Sequence, residues 1–543
     1  MCDTLASVPQ SCVTPEAIMA KFFNTTGPCR GEDHYMIDPL NRLGDIRKLV
    51  DDKLYFVVHA PRQTGKTTTL ESLATALTAE GKYTALKFSC ETGQPLSSDI
   101  ESAEDAIIQA IIRAAKNTLP PELQCPQPVK TAKGTRIGEF LSEWATTSSR
   151  PLVLFFDEID ALMNNALESV LRQLRAGFSY RPHAFPQSIV LCGLRDVRDY
   201  KVLSGGQPRL GTPSPFNIKS DSLRLANFTE TEVRELYLQH TAATGQQFEP
   251  EAMVKAWELT DGQPWLVNAL ANQTVAKMGI PRSQTITTLD IEKAAQEIIL
   301  ARQTHLDSLV DKLTEERVQR VVEPVLAGLL TGGDMTYNDD ISYVRDLGLI
   351  APKSPIRIAN PIYREVIVRV LAARAADVID FERKSFVSAN GMLDVDVIVK
   401  EFATWWRENA EFMLSSEYYN EAAAQLVFMA WLQRVVNGGG IIDREYGVGR
   451  GRIDILVRWP HPAAAISRDW QREAFELKVW RDGRPDPLTQ GLTQLEAYLE
   501  KLGLTQGTLV IFDRRKDALP PATRTQISQA QTPKGYAVRL LRA

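Results

Sequence analysis

An apolar run, a glycine-bearing loop and a lysine in fixed order leave a chain few ways to fold. Here LYFVVHAP (Leu54–Pro61) is rich in β-branched and aromatic residues, and it runs through RQTG into the helical pattern KTTTLESLATAL. That is strand, loop, helix. In this order the backbone N–H groups of the loop gather at a helix N-terminus, where an anion is favoured. Lys66 is then placed to reach the outer phosphates of a nucleotide, and the Thr67 hydroxyl to hold Mg²⁺. Ala60, Gln63, Thr64, Gly65 and Thr68 complete the phosphate-wrapping loop. Ala60 stands where the G-x-x-x-x-G-K-T pattern has its first glycine.

Three more apolar runs follow, YTALKFSCE, PLVLFFDEID and SIVLCGLRD, with helical patterns such as SAEDAIIQAIIRAAKNTL and ALESVLRQLRAGF between them. Strands alternating with helices predict a parallel, doubly wound sheet. The run LVLFFDEID delivers Asp157 and Glu158 at a strand's C-terminal end, where they would serve as ligand of a Mg²⁺-bound water and as general base for water attack. Asp160 reads as a helix cap. Beyond Asn227 the pattern turns wholly helical, with Thr229 an N-cap three residues before Glu232. Further on, a helix ending at Gly348, a short strand pair around Pro352–Pro355 and another helix have the outline of a winged helix.

At 543 residues the chain exceeds a single core, and 44% hydrophobic with 24% charged residues is ordinary for soluble globular domains. The net charge of -5 gives no overall pull toward nucleic acid, but from Ile441 onward 17 Lys/Arg face 12 Asp/Glu. Six scattered cysteines without a CxxC pair read as reduced thiols rather than a disulfide frame or zinc site. MCDTLASVPQ has no basic-then-apolar leader, and no uncharged apolar stretch reaches membrane-spanning length. The expectation is a cytoplasmic protein with no membrane partner.

The C-terminal part poses a second question. GRGRIDILV places Asp454 on an alternating strand, and REAFELKVW places Glu476 and Lys478 on another. Period two puts Glu476 and Lys478 on one face, opposite Leu477, and Asp454 joins that face if the strands pair. A metal-dependent phosphodiesterase needs two or three converging carboxylates and a cation. The plainer reading is an ion pair on a sheet edge, worth little energetically. Arg450, Arg452, Arg481 and Arg484 could track a phosphate backbone or form a solvated basic loop. Trp405, Trp406 and Trp431 fall at helical spacings and read as core.

Through these motifs the region from Tyr35 to Arg374 resembles the AAA+/STAND P-loop ATPases. The resemblance implies that SIVLCGLRD is a sensor strand, with Arg195 facing the γ-phosphate. It also implies that DGQPWL is the G-x-P element of a helical lid, with Gly262 and Pro264 beside the adenine. GEDHYMIDPLNRL, HAPRQTGKTT and ANPIYREV look like a family of bacterial AAA-like ATPases of uncharacterised role. From about Tyr419 to Arg515 the chain resembles the PD-(D/E)XK nuclease superfamily. Asp454, Glu476 and Lys478 match its D…E-x-K core, Glu421 matches a helix-borne acid, and Gln494 and Tyr498 match its Q-x-x-x-Y element.

The fold expected is an α/β multidomain chain: N-terminal lead-in (1–45), P-loop parallel α/β core (46–226), helical lid (227–300), winged helix (301–375), helical linker (376–410) and a restriction-endonuclease-like α/β domain (411–543). The function implied is an ATPase that binds ATP with Mg²⁺ and regulates a Mg²⁺- or Mn²⁺-dependent nuclease, with Glu421, Asp454 and Glu476 as metal ligands. The partner implied is nucleic acid, DNA ahead of RNA, with a homo-oligomer as the assembly and defence or mobile-element control as the setting. The alternative is an initiator- or STAND-like switch that binds DNA or a protein partner and carries a catalytically silent C-terminal domain.

Overall fold

The computed structural model describes residues 21–42, 44, 46–128, 131–194, 218–301, 304–326, 338–376, 386–415, 423–436, 440–448, 451–460 and 470–543. It divides into two compact units, Met1–Ala301 and Arg302–Ala543.

In the first unit the elements run α1 (Ile46–Asp51), β1 (Tyr55–His59), α2 (Lys66–Ala79), β2 (Thr84–Ser89), α3 (Ile100–Thr118), α4 (Arg136–Thr147), β3 (Leu152–Asp157), α5 (Asn164–Gly177), β4 (Ser188–Gly193) and β5 (Lys219–Arg224). The five strands are all parallel, in the order β2-β3-β4-β1-β5. Alternation along the strands feeds two cores. Phe56, Val58, Val153, Phe155 and Val190 pack on α1 and α2, while Val57, Leu154, Phe156, Ile189 and Leu191 pack on α3, α4 and α5. With helices on both faces the strands read as continuous apolar runs, as parallel sheets do. The strand order places β4 between β1 and β3, so the phosphate loop after β1 and the acids at the end of β3 flank the end of β4.

Four helices follow, α6 (Glu230–Thr244), α7 (Pro250–Thr260), α8 (Pro264–Asn272) and α9 (Thr288–Leu300). Thr229 and Glu232 form a reciprocal capping box at the start of α6, as their spacing predicts. The segment expected as a lead-in is built into this helical part. Phe23, Tyr35, Tyr237, His240 and Phe248 form one aromatic cluster. The Trp265 indole N–H donates to Thr25 O (2.9 Å), and Asn272 Nδ2 donates to Phe23 O (3.0 Å).

The second unit opens with α10 (Thr304–Lys312), α11 (Glu316–Leu326), α12 (Asp339–Asp346) and α13 (Pro361–Ala376). Gly348, at φ 79°, turns the chain after α12, and an antiparallel bridge joins Ile350 to Ile358 before α13 begins. The expected strand pair is thus a single bridge flanked by the Ala351 N–H to Arg357 O bond of 2.8 Å. Next come α14 (Val395–Ser415), α15 (Ala423–Val436), β6 (Ile441–Val448), β7 (Gly451–Pro460), β8 (Trp470–Trp480), α16 (Leu488–Leu502), β9 (Gln506–Asp513), α17 (Pro521–Arg524), β10 (Gln526–Gln531) and β11 (Ala537–Arg542).

These six strands form a mixed sheet, β10-β11-β9-β8-β7-β6, in which β6, β7 and β8 meander antiparallel and β8 pairs parallel with β9. One face, with Ile455, Val457, Phe475 and Leu477, is covered by Phe402, Trp406, Phe428 and Trp431 of α14 and α15. The other, with Leu456, Ala474, Leu509 and Ile511, is covered by Leu495, Tyr498 and Leu499 of α16. Trp405, Trp406 and Trp431 are core, as their spacing predicts. The stretch 376–410, expected as a helical linker, contains most of α14, whose Phe402 and Trp406 pack on Phe512 together with Phe428 of α15 and belong to the sheet's own core. Among the described residues no helix is long and apolar enough to cross a membrane.

Candidate functional site

The phosphate loop is held by its own strained backbone. Gln63 takes φ 55°, and Gly65 takes φ 85° as the left-handed residue that starts α2, a conformation glycine adopts without a Cβ penalty. The buried Lys66 amine folds back to donate to Ala60 O and Pro61 O, each at 2.8 Å. Burial lowers its pKa, while the nearby Cys192, Asp160, Asp157 and Glu158 oppose the shift. Thr64 Oγ1 donates to Pro61 O at 2.9 Å, and Thr68 Oγ1 accepts from the Cys29 N–H at 3.1 Å.

The end of β3 meets this loop. Thr67 Oγ1 donates to Asp157 Oδ2 at 2.8 Å, so the two oxygens expected on Mg²⁺ already converge, and Lys87 Nζ stands 3.6 Å from the same carboxylate oxygen. The pair fits a divalent cation: one hydroxyl and one buried carboxylate, both oxygen donors. Glu158 adopts φ 54°, ψ 39°, a left-handed conformation that a non-glycine residue keeps only where its surroundings enforce it. Its Oε2 accepts from Ser89 Oγ at 2.5 Å. Burial raises the Glu158 pKa, the Ser89 hydrogen bond opposes this, and the Asp157 charge adds to it. A half-buried carboxylate with a raised pKa, next to a phosphate loop, has the chemistry of a general base. Asp160 is not a helix cap: its Oδ2 accepts from the Leu194 N–H at 3.1 Å and so fixes the end of β4, which lies one strand away. Arg195 lies outside the described residues.

Two residues that sequence reasoning passed over belong here. Arg42 donates from Nη1 to Thr64 O (2.9 Å) and from Nε to Ala226 O (3.1 Å), and it lies over the Phe228 ring at 4.9 Å. Burial lowers its pKa to about 10, with Glu232 opposing. It lines a pocket with Tyr35, Ile37, Thr68, Phe228 and Pro264, and no spacing in the sequence marks it. The other is Gln263, whose Nε2 donates to Gln63 O at 3.3 Å while its Oε1 caps α8 through the Leu266 N–H at 2.6 Å. Its position inside the G-x-P element was the available signal. Gly262 is there by necessity: at φ 67°, an added Cβ would lie 1.8 Å from Phe228 O.

The second unit gathers a different group. β7 pairs antiparallel with β8 with Ile455 opposite Phe475, and the register carried one residue further sets Asp454 opposite Glu476. There the Asp454 side chain takes over from the ladder, its Oδ2 accepting the Leu477 N–H at 2.8 Å. The Lys478 amine donates to Glu476 Oε1 at 2.6 Å. None of this is an edge or a solvated face. β8 is an interior strand, Glu476 is 2% exposed, and its Oε2 is buried without a hydrogen-bond partner.

Burial raises the pKa of Asp454, with the Leu477 N–H, Lys478 and Arg364 opposing. Burial first, and then the Asp454 charge, push Glu476 up to about 7 despite Lys478. A buried carboxylate with an unsatisfied oxygen and a half-buried one beside it fit a hard divalent cation. On α16, Tyr498 is buried in the core beside this face, and Gln494 Oε1 is buried without a hydrogen-bond partner. Glu421 and Arg450 lie outside the described residues. Among the described residues, no three His, Cys, Asp or Glu side chains gather as a metal site.

Residues 56–191 match the family of ATPases associated with various cellular activities (AAA). No curated protein matches the chain in sequence. Among solved structures, a Walker-type ATPase of Pyrococcus abyssi aligns at 12% identity over 64% of this chain and 99% of its own, with TM-score 0.45. The ORC2 protein of Aeropyrum pernix, with ADPNP and ADP, aligns at 14% identity over 63% and 95%, TM-score 0.35. The Holliday-junction branch-migration motor RuvB of Thermotoga maritima aligns at 16% identity over 60% and 95%, TM-score 0.32.

Proposed function

Starting from the AAA-family P-loop ATPase domain that residues 56–191 form, we propose that the chain couples ATP binding and hydrolysis to a metal-dependent nuclease carried by its C-terminal sheet. In the ATPase, Lys66 and the loop N–H groups hold the phosphates, Thr67 and Asp157 hold Mg²⁺, and Glu158 takes the proton of the attacking water. The Ser89 hydroxyl, bonded to Glu158 Oε2, orients the carboxylate for that role. The helix-and-bridge arrangement of α12, Ile350, Ile358 and α13 is read as a winged helix.

One observation carries the nuclease reading: Asp454 and Glu476 face each other across β7 and β8 with Lys478 two residues on, all three on the face that α16 covers. The order α15, β6, β7, β8, α16, β9 supports it, since the acids fall on the second and third strands of the meander and the Gln494/Tyr498 helix follows. A divalent cation held by Asp454 and Glu476, with Glu421 joining them, would polarise the phosphodiester and lower the pKa of a bound water. Lys478 would give up its bond to Glu476 and turn its ammonium to the phosphate, steadying the charge that builds there. The substrate is nucleic acid, DNA ahead of RNA. The fusion of a nucleotide-driven module to such a site motivates the further reading that ATP gates cleavage in defence or mobile-element control.

The test is cleavage of supercoiled plasmid, single-stranded DNA and RNA with Mg²⁺ or Mn²⁺, with and without ATP. Cutting by the wild type that Asp454→Ala abolishes is the expected result, and its dependence on Lys66 reports gating. ATP turnover without cutting of any substrate would overturn the nuclease reading and leave an ATP-driven binding switch.

A further inference from the structure

Beyond Lys478, β8 carries its row of side chains one step further on the same face. Glu476, Lys478 and Trp480 alternate with Leu477 and Val479, and the half-buried Trp480 packs among the residues beneath α16. At about 3.3 Å per residue, Trp480 stands about 7 Å past Lys478 along the strand. β9 runs parallel beside β8 with Asp513 opposite Trp480, so the turns that leave the two strands emerge side by side.

Those turns are tied together. β9 is followed at once by three cations, Arg514, Arg515 and Lys516. The Arg514 N–H donates to Trp480 O at 2.8 Å, the Arg515 N–H to Asp513 Oδ1 at 3.2 Å and the Lys516 N–H to Asp482 Oδ1 at 3.1 Å. The Arg515 side chain is held as well. Its guanidinium lies over the Trp480 ring, 3.4 Å from the centroid, and Asp513 accepts from its Nε at 2.9 Å and its Nη2 at 2.6 Å. The ring is fixed in turn by its own N–H, which donates to Arg484 O at 3.0 Å. A guanidinium gripped by an aromatic face and a carboxylate has little freedom left to lose on binding. Yet the Arg515 side chain remains 36% exposed.

We propose that Arg515 is a phosphate-binding residue of the C-terminal sheet: it holds the nucleic-acid backbone one nucleotide away from the phosphodiester at Asp454, Glu476 and Lys478. Trp480 and Asp513 are the residues that position it. The proposal rests on the nuclease reading of that group and names a residue that holds its substrate. A guanidinium carries five donors in a planar fork, so a carboxylate on one edge leaves another edge for phosphate. Trp480 is not a platform for bases, because Arg515 already covers one face of its ring and the residues beneath α16 pack around it.

A purely structural arginine would behave differently. Its loss would loosen the turns and weaken binding without changing how many counterions binding releases. A phosphate contact displaces a counterion, so its loss lowers the slope of log affinity against log salt.

The experiment is fluorescence anisotropy of the full chain with a short labelled single-stranded DNA in Ca²⁺, across a NaCl series. Wild type is compared with Arg515→Gln, Arg515→Lys, Trp480→Phe and Lys534→Gln, with the Tm of each recorded and plasmid cutting in Mn²⁺ measured alongside. Lys534 is the control: it lies on the turn before β11, which runs parallel with β9, and so at the opposite end of the sheet. Arg515→Gln should bind about fivefold or more weaker at low salt, with a slope smaller by about 0.7, the value of one phosphate contact on a single strand. Arg515→Lys keeps the charge and loses the fork, so it should bind more weakly than wild type at nearly full slope, a result that still tests the role if Arg515→Gln fails to fold. Trp480→Phe keeps an aromatic face and should bind near wild type, as should Lys534→Gln.

A slope in Arg515→Gln equal to wild type, an equal loss in Lys534→Gln, or no DNA binding by wild type overturns the role of Arg515. If wild type cuts plasmid while Arg515→Gln binds as wild type does, the nuclease reading stands without it. If the slope falls as expected while wild type cuts nothing, the nuclease reading has failed and Arg515 holds phosphate on a binding surface.

Discussion

Replacing Glu476 with Gln should stabilise the second unit at alkaline pH, and by an amount that falls away in acid. Glu476 is 2% exposed, and its pKa is raised from 4.5 to about 7 by burial and by the Asp454 charge. A carboxyl whose pKa is higher in the folded chain binds more protons folded than unfolded between those two values. Stability therefore falls as pH rises through that window, and the full cost is present above it. A rise of that size corresponds to roughly 3 kcal/mol at about 1.36 kcal/mol per pH unit, an upper figure for a carboxyl coupled to Asp454. In a unit of this size that is about 5–10 °C in Tm.

Gln keeps the shape and removes the charge. Calorimetry of wild type and Glu476→Gln with a chelator present, from about pH 5 to about pH 8.5, should show the variant pulling ahead as pH rises. Added Mn²⁺ should then raise the wild-type Tm at the alkaline end and leave the variant almost unmoved, because the cation relieves the same buried charge. A Tm difference that is flat with pH, or a variant less stable than wild type near pH 8, would refute the argument that burial of an ionised Glu476 is a standing cost.

Three shorter predictions concern the first unit. Lys66→Ala should lower affinity for a fluorescent ATP analogue by about a hundredfold, the loss of a charge-assisted contact to phosphate. Glu158→Gln should leave that affinity near wild type while lowering phosphate release in a steady-state assay by about 10²–10⁴-fold, as expected for loss of a general base. Gly262→Ala should cost about 2 kcal/mol or more in a urea titration of the first unit, because its Cβ would fall 1.8 Å from Phe228 O at a φ of 67°.

The sequence disclosed those features that local pattern determines, and missed those that need a third dimension. The Gly65–Thr67 loop, the acids at the end of β3 and the alternation on β8 follow from period and spacing: α2 begins at Lys66, β3 ends at Asp157, and β8 carries Glu476 and Lys478. The sequence could not say that β4 lies between β1 and β3, which brings Asp160 to the Leu194 N–H instead of to a helix start. Nor could it show that α16 covers the face carrying Glu476. An alternating strand with an acid and a lysine on its polar positions looks solvated in one dimension, and only the helix above it leaves Glu476 buried and Lys478 half-buried. Arg42 was missed for the same reason: it comes from a segment before the loop, and its relevance lies in what it approaches, the Thr64 carbonyl.

Burial is thus the property that turns two ordinary residue types into a site. On a sheet surface, Glu476 and Lys478 would form an ion pair worth well under about 1 kcal/mol, and Asp454 would ionise undisturbed. Beneath α16 the same groups meet a medium in which each ionised carboxylate costs folding energy unless a cation lies close by. Lys478 donates to one acid, Glu476, and the other, Asp454, accepts the Leu477 N–H. The compensation is incomplete, since Glu476 is still raised to about 7 and keeps one oxygen without a hydrogen bond. That residual cost is what a divalent cation relieves, so the instability that Glu476→Gln removes and the metal affinity of the wild-type site are one quantity measured in two ways. A variant that gained stability at high pH while keeping full Mn²⁺ affinity would break that identity.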